Sequence, residues 1–188
     1  MSNSVLIDGI SLSTYTNIGE IEIAWKRLEN SGVAMAFQNY EWCKTWIDQV
    51  APSVDAIPLV VCGRDAAEKM IFILPFQKRE VGRFRLLEWL GQQNGTACSG
   101  LFDNSFCSES GQASFTQNLP QILNFLEPLE AINLRHMPKT IVGKLNPLAV
   151  LHQTLSANAS FILDLQPHYG DLCTAIDFVI HCYCESRS

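Results

Sequence analysis

The sequence predicts an α/β protein built on a mixed sheet, with an antiparallel meander flanked by helices. Three observations predict it. Two early segments repeat apolar residues at helical spacing. The period then shortens into three apolar runs joined by tight polar links. After a polar, glycine-bearing stretch, helical and strand-like segments alternate again. Apolar residues fill 47% of the 188 positions and charged residues 17%, which supplies a core and opposes disorder. The length suits one domain, or one lobe of a two-lobe protein.

The elements follow in order. Residues 5–10 form a short apolar run, read as an edge strand ending in a Ser/Thr-rich turn. Ile18, Ile21, Trp25 and Leu28 then step by helical intervals along one face. Asn17, with Glu20 three residues on, resembles a capping box, and Gly32 is the stop. A second helix is expected over residues 39–50, capped by Asn39 and closed by Pro52. Trp42 and Trp46 lie one turn apart on it. Residues 57–62, 70–76 and 84–90 are the meander strands, with Pro58 and Pro75 at starts, edges or bulges.

Residues 91–111 are rich in Gly, Ser, Asn and Gln and read as one long, mobile loop. A helix over residues 115–126, interrupted or restarted at Pro120, comes next. Residues 131–134 read as a buried strand, and Asn146-Pro147 as the opening of a short helix to about His152. Residues 161–165 are a further strand, and a helix begins near Asp171. Trp25, Trp42, Trp46, Leu59, Val61, Phe72, Leu74 and Leu87 are the expected core.

Composition narrows the function. The net charge is −6, and the densest basic stretch, Lys78-Arg79 with Arg83 and Arg85, is broken by Glu80. A nucleic-acid surface needs clustered positive charge, so nucleic acid is excluded as an expected partner. The longest apolar runs are too short to span a bilayer, and the first residues carry neither a basic nor an apolar signal region. A soluble, cytoplasmic chain is expected, with peripheral membrane attachment left open. The seven cysteines are an odd number, and reduced, mostly buried thiols are expected.

Four patterns bear on chemistry. Gln92, Gly95 and Ala97 form Gln-x-x-Gly-x-Ala, the spacing of a loop that cradles a pyrophosphate on backbone N–H groups at a helix start. A strand precedes it, but Cys98-Ser99-Gly100 opposes a helix after it, and an ordinary polar loop is the preferred reading. His181, Cys182 and Cys184, with Cys173 upstream, lack the spacing of a zinc site, and no metal is expected. Cys98 or Cys107 could pair with His136 or His152 as a nucleophile and base, though no motif surrounds either cysteine. Trp42 and Trp46 could stack on a sugar or a base; tryptophans at helical spacing are more often core.

A family resemblance rests on ordered motifs. Phe37-Gln38-Asn39-Tyr40-Glu41-Trp42-Cys43-Lys44-Thr45-Trp46 resembles the opening helix of the CelD-type (BioF2-like) acetyltransferases of the cellulose-biosynthesis class. Pro58-Leu59-Val60-Val61, Ile73-Leu74-Pro75-Phe76 and Leu86-Leu87-Glu88-Trp89-Leu90-Gly91 resemble its meander strands, and Asn94 with Gly100-Leu101-Phe102 its loop. The similarity is best over about residues 20–110. It implies a GNAT-like fold, in a family whose members resemble a tandem pair of such lobes with acyl-CoA as co-substrate of the C-terminal one. Two departures stand out. Thr96-Ala97 replace an aromatic position of the loop, and residues 177–188 do not continue the expected helix. The implied organisation is a lobe over residues 1–176 and a divergent, out-of-frame tail over 177–188. The implied function is the N-terminal lobe of an acyl-CoA-dependent acyltransferase acting on a cell-envelope or polysaccharide-related acceptor, inactive alone and with no acyl-CoA of its own. Self-association through the surface left by a missing lobe is expected. The alternative is a non-catalytic binding or scaffolding module.

Overall fold

The computed structural model describes residues 4–126, 129–149 and 151. A compact unit over residues 1–153 holds all of them. The structure is a mixed α/β fold with a mostly antiparallel sheet.

The chain opens with a hairpin. Strands β1 (Ser4–Ile7) and β2 (Ile10–Tyr15) pair antiparallel across Asp8-Gly9. Both turn residues have positive φ, 50° and 78°, the twist that a two-residue hairpin turn requires. The Ser/Thr-rich stretch expected to be a turn is therefore strand β2. Its alternating Ser and Thr side chains suit a half-buried pleat.

A 3₁₀ turn, Ile18–Ile21, leads into helix α1 (Glu22–Ser31). Asn17 starts it by accepting from the Gly19 N–H at 3.1 Å. Helix α2 (Tyr40–Gln49) is capped by Asn39, whose Oδ1 accepts from the Trp42 N–H at 2.7 Å. Pro52 sits in the following 3₁₀ turn, Ala51–Val54, where its missing N–H costs nothing.

The meander forms as expected from strands β3 (Ala56–Arg64), β4 (Met70–Val81) and β5 (Phe84–Trp89). Its two prolines fall where the ladder does not need their N–H groups. Pro58 precedes the stretch of β3 that pairs with β2, which starts at Val60. Pro75 sits where the second edge of β4 changes partner, from β5 at Phe76 to β6 (Leu101–Phe102) at Ile73. In that gap the Leu90 N–H reaches the Pro75 carbonyl at 2.8 Å.

The stretch expected as one long loop is shorter and more ordered. Strand β6, a 3₁₀ turn over Asn104–Cys107 and the first turn of helix α3 (Glu109–Asn124) all lie within residues 91–111. Gln92, Cys98, Ser99 and Gly100 are buried. Helix α3 starts six residues before the expected point because Ser108 caps it, accepting from the Gly111 N–H at 3.1 Å. Gly111 allows this tight start: a Cβ there would lie 2.0 Å from the Ser105 carbonyl oxygen. The helix runs through Pro120 without interruption, and Pro120 is exposed, so solvent can serve the carbonyl left without a donor.

Strand β7 (Ala131–Asn133) pairs parallel with β5, with α3 as the crossover. It is a strand as expected, but Ala131 and Ile132 are exposed; among the described residues β7 is the last strand on that side of the sheet. The helix expected from Asn146 is a turn instead. Asn146 Oδ1 accepts from the Leu148 N–H at 3.1 Å and its carbonyl from the Ala149 N–H at 3.0 Å. Before it stands an unanticipated hairpin, β8 (Thr140–Ile141) and β9 (Lys144–Leu145). The strand expected at residues 161–165 and the helix from Asp171 lie outside the described residues.

The core has two layers. On one face of the sheet, Val60, Cys62 and Ile73 pack against Trp25 and Leu28 of α1 and Trp46 of α2. On the other, Leu59, Val61, Phe72, Leu74, Phe76, Leu87 and Trp89 pack against Phe115, Leu119 and Ile122 of α3. Phe115 meets Phe72 and Phe102 edge-on, each with ring centroids 5.3 Å apart. Seven of the eight expected core residues are buried; Trp42 is only half-buried.

Candidate functional site

The segment holding Gln92, Gly95 and Ala97 leaves the sheet at the C-terminal end of β5. Its backbone turns inward. The Gln92 N–H donates to the Trp89 carbonyl at 3.2 Å, and the Asn94 and Gly95 N–H groups to the Gly91 carbonyl at 2.9 and 3.2 Å. The Cys98 N–H donates to the His136 carbonyl at 2.9 Å. The Gln92 side chain is buried too, its Oε1 accepting from the Arg135 N–H at 3.1 Å. It ties the end of β5 to the chain just beyond β7. The Ala97 carbonyl accepts from Gln38 Nε2 at 3.3 Å. No helix starts here; α3 begins at Glu109. A diphosphate needs outward N–H groups at a helix start, and these residues do not fit one.

The thiols are placed for packing. Cys43, Cys62, Cys98 and Cys107 are free and buried, in line with the expectation for these four. Burial pushes Cys98 up to about 12 and raises Cys43, Cys62 and Cys107. A nucleophilic cysteine needs the opposite shift. Cys98 and His136 do meet, but through backbone atoms. A Cβ on Gly95 would lie 3.2 Å from Cys98 Sγ and 3.5 Å from Phe37, which places the thiol against that loop. His152 and the Cys173, His181, Cys182 and Cys184 cluster lie outside the described residues. Among the described residues, no group of three His, Cys, Asp or Glu side chains could hold a metal, and no helix is long and apolar enough to cross a membrane.

The densest polar constellation lies on the α1/α2 face of the sheet, where β4, β5 and β7 run side by side. Glu88 is 1% exposed. Its Oε2 accepts from Arg79 Nε at 3.0 Å, Gln77 Nε2 at 3.2 Å and Gln93 Nε2 at 3.3 Å. Its Oε1 accepts from Arg79 at 3.2 Å and Asn133 Nδ2 at 3.1 Å. Gln77 Oε1 in turn takes the Gly91 N–H at 3.0 Å. Desolvation pushes the carboxyl up, but hydrogen bonds from Arg79 and Gln77, with the guanidinium charge, outweigh it. The net shift is downward. Glu88 is thus a saturated carboxylate, suited to holding three strands together rather than to taking a proton. The sequence carried one signal of it, a lone carboxylate within Leu86-Leu87-Glu88-Trp89-Leu90. Nothing local could name Arg79 or Asn133 as its partners.

Beside this network lies the N-terminal end of α2. The Trp42 ring sits on Gly91, whose φ is +66° and where a Cβ would lie 2.4 Å from the indole. Phe37 meets Trp42 edge-on at 5.5 Å. Trp46 Nε1 donates to Asn94 Oδ1 at 3.0 Å. A small surface cavity of about 220 Å³ lies elsewhere, between α1 and the β3–β4 turn, lined in part by Arg27, Ser31, Glu68 and Lys69.

No protein-family model, curated protein or solved structure matches the chain.

Proposed function

We propose that this chain is the N-terminal, GNAT-like lobe of an acyl-CoA-dependent acyltransferase acting on a cell-envelope or polysaccharide-related acceptor, and that the lobe is inactive alone. One observation carries the reading. After the opening hairpin, two helices precede a three-strand meander, and its last strand passes through a helix to a parallel neighbour. The second helix and the three meander strands are the segments whose motifs carry the resemblance. The inward amides of Gln92, Asn94, Gly95 and Cys98 support assigning acyl-CoA to another lobe.

Calorimetric titration of the chain with acetyl-CoA tests the assignment. No saturable heat is expected. Micromolar binding abolished by replacing Gly95 with a bulky residue would overturn it and make the 92–97 turn a cofactor site.

A second reading, a binding or scaffolding module, is favoured by the tip of the β4–β5 hairpin, where Val81 and Phe84 are 43% and 48% exposed. Sedimentation at rising concentration tests it. A monomer throughout argues against association through that tip.

A further inference from the structure

Trp25, Trp46 and Trp89 are 0%, 4% and 1% exposed, whereas Trp42 keeps part of its surface in solvent. That surface is rigidly held. The Trp42 N–H is clamped by Asn39, its ring rests on Gly91, and Phe37 braces it edge-on. The two residues that follow Gly91 and Gln92, namely Gln93 and Asn94, are exposed.

Each of these amides has one end fixed by the fold. Gln93 spends its Nε2 on Glu88, and Asn94 spends its Oδ1 on Trp46. Gln93 Oε1 and Asn94 Nδ2 have no partner among the described residues, and Gln93 Nε2 keeps a second N–H and Asn94 Oδ1 a second lone pair. One hydrogen bond to the fold restrains each amide, which lowers the ordering cost on binding. The buried carboxylate beside Gln93 is paired, Glu88 with Arg79.

A partly exposed indole beside two amides that can each donate and accept matches one ligand chemistry best. A sugar ring presents an apolar C–H face to an aromatic surface and hydroxyls that donate and accept at its rim. A nucleotide would bring phosphate to a chain of net charge −6. We propose that Trp42, Gln93 and Asn94 form a binding surface for a neutral saccharide. The surface does not depend on the acyl-transfer reading, since a lobe can bind sugar without belonging to an acyltransferase.

The test is titration of the full chain with cellotriose, maltotriose and adenosine monophosphate, followed by calorimetry and by the indole and side-chain amide resonances. At least one trisaccharide should bind saturably in the millimolar range, moving the Trp42, Gln93 and Asn94 signals. Asn94→Asp keeps the oxygen that serves Trp46 and deletes the free donor; it should weaken binding about tenfold with the circular dichroism unchanged. Trp42→Phe, which keeps an aromatic contact on Gly91, should weaken it similarly. Failure of both trisaccharides to bind the folded wild-type chain would overturn the proposal. So would preference for the nucleotide, or binding untouched by both variants. None of these outcomes bears on the acetyl-CoA titration.

Discussion

At the scale of single residues, Glu88 shows how a buried charge is accommodated. Five donor contacts converge on it, so the desolvation cost is met by hydrogen bonds and by Arg79. Glu88→Gln should cost about 2 kcal/mol in chemical denaturation. That is less than the roughly 3–5 kcal/mol of a fully enclosed pair, because the Arg79 side chain is 32% exposed and can turn to water. The pH dependence has a definite sign. The folded-state pKa of Glu88 is depressed, so its contribution is fully present above the ordinary glutamate value of about 4.3. It is lost as pH falls through the lower folded value. Wild-type melting temperature should therefore drop below that pH more steeply than that of Glu88→Gln. The thiols give a second prediction at this scale. With the thiolate disfavoured at Cys43, Cys62 and Cys98, a thiol reagent at neutral pH should leave these three unlabelled in the native chain and label them after unfolding; peptide mapping reads the result.

At the scale of elements, turns and caps set where structure starts. The β8–β9 hairpin turns on Val142-Gly143, with φ of 49° and 73°. A β-branched residue is strained in the left-handed region, and Val142 is 75% exposed, so no packing depends on it. Val142→Asn should stabilise the chain by about 1 kcal/mol, seen as a higher denaturation midpoint. The start of α3 predicts the opposite sign. Glycine to alanine within a helix ordinarily stabilises, by about 0.5–1 kcal/mol. Gly111→Ala should instead destabilise by about 2–3 kcal/mol, because the new Cβ would meet the Ser105 carbonyl at 2.0 Å. The Ser108 cap and this glycine together explain why the helix starts well before its apolar periodicity does.

At the scale of the whole molecule, the sheet is the frame for everything else. Its two faces are covered by separate helical layers, α1 with α2 on one and α3 on the other. The parallel β5–β7 pair brings Asn133 and Arg135 to the end of the meander, where they meet Glu88 and Gln92. Gln92→Ala would remove the tie between the end of β5 and Arg135. It should lower the melting temperature and speed hydrogen exchange at the Arg135 amide, while exchange in the β3–β4 ladder stays slow. Equal acceleration in both places would show that the tie is not local.

The sequence by itself determined the elements whose signal is local. The apolar steps of Ile18, Ile21, Trp25 and Leu28, the Asn39 cap and the three meander runs sit within one or two turns or one strand, so periodicity and capping chemistry expose them. Tertiary structure alone decided the rest. Burial of Gln92 depends on Arg135, and the state of Glu88 on Arg79 and Asn133. The exposure of β7 follows its place as the last strand on that side of the sheet among the described residues. The Gln92, Gly95 and Ala97 spacing was legible, but the direction of its N–H groups was not. That direction is set by acceptors at Trp89, Gly91 and His136, one of them far along the chain. A short motif records which residues are present; which way their polar groups point follows from which partners the folded chain supplies.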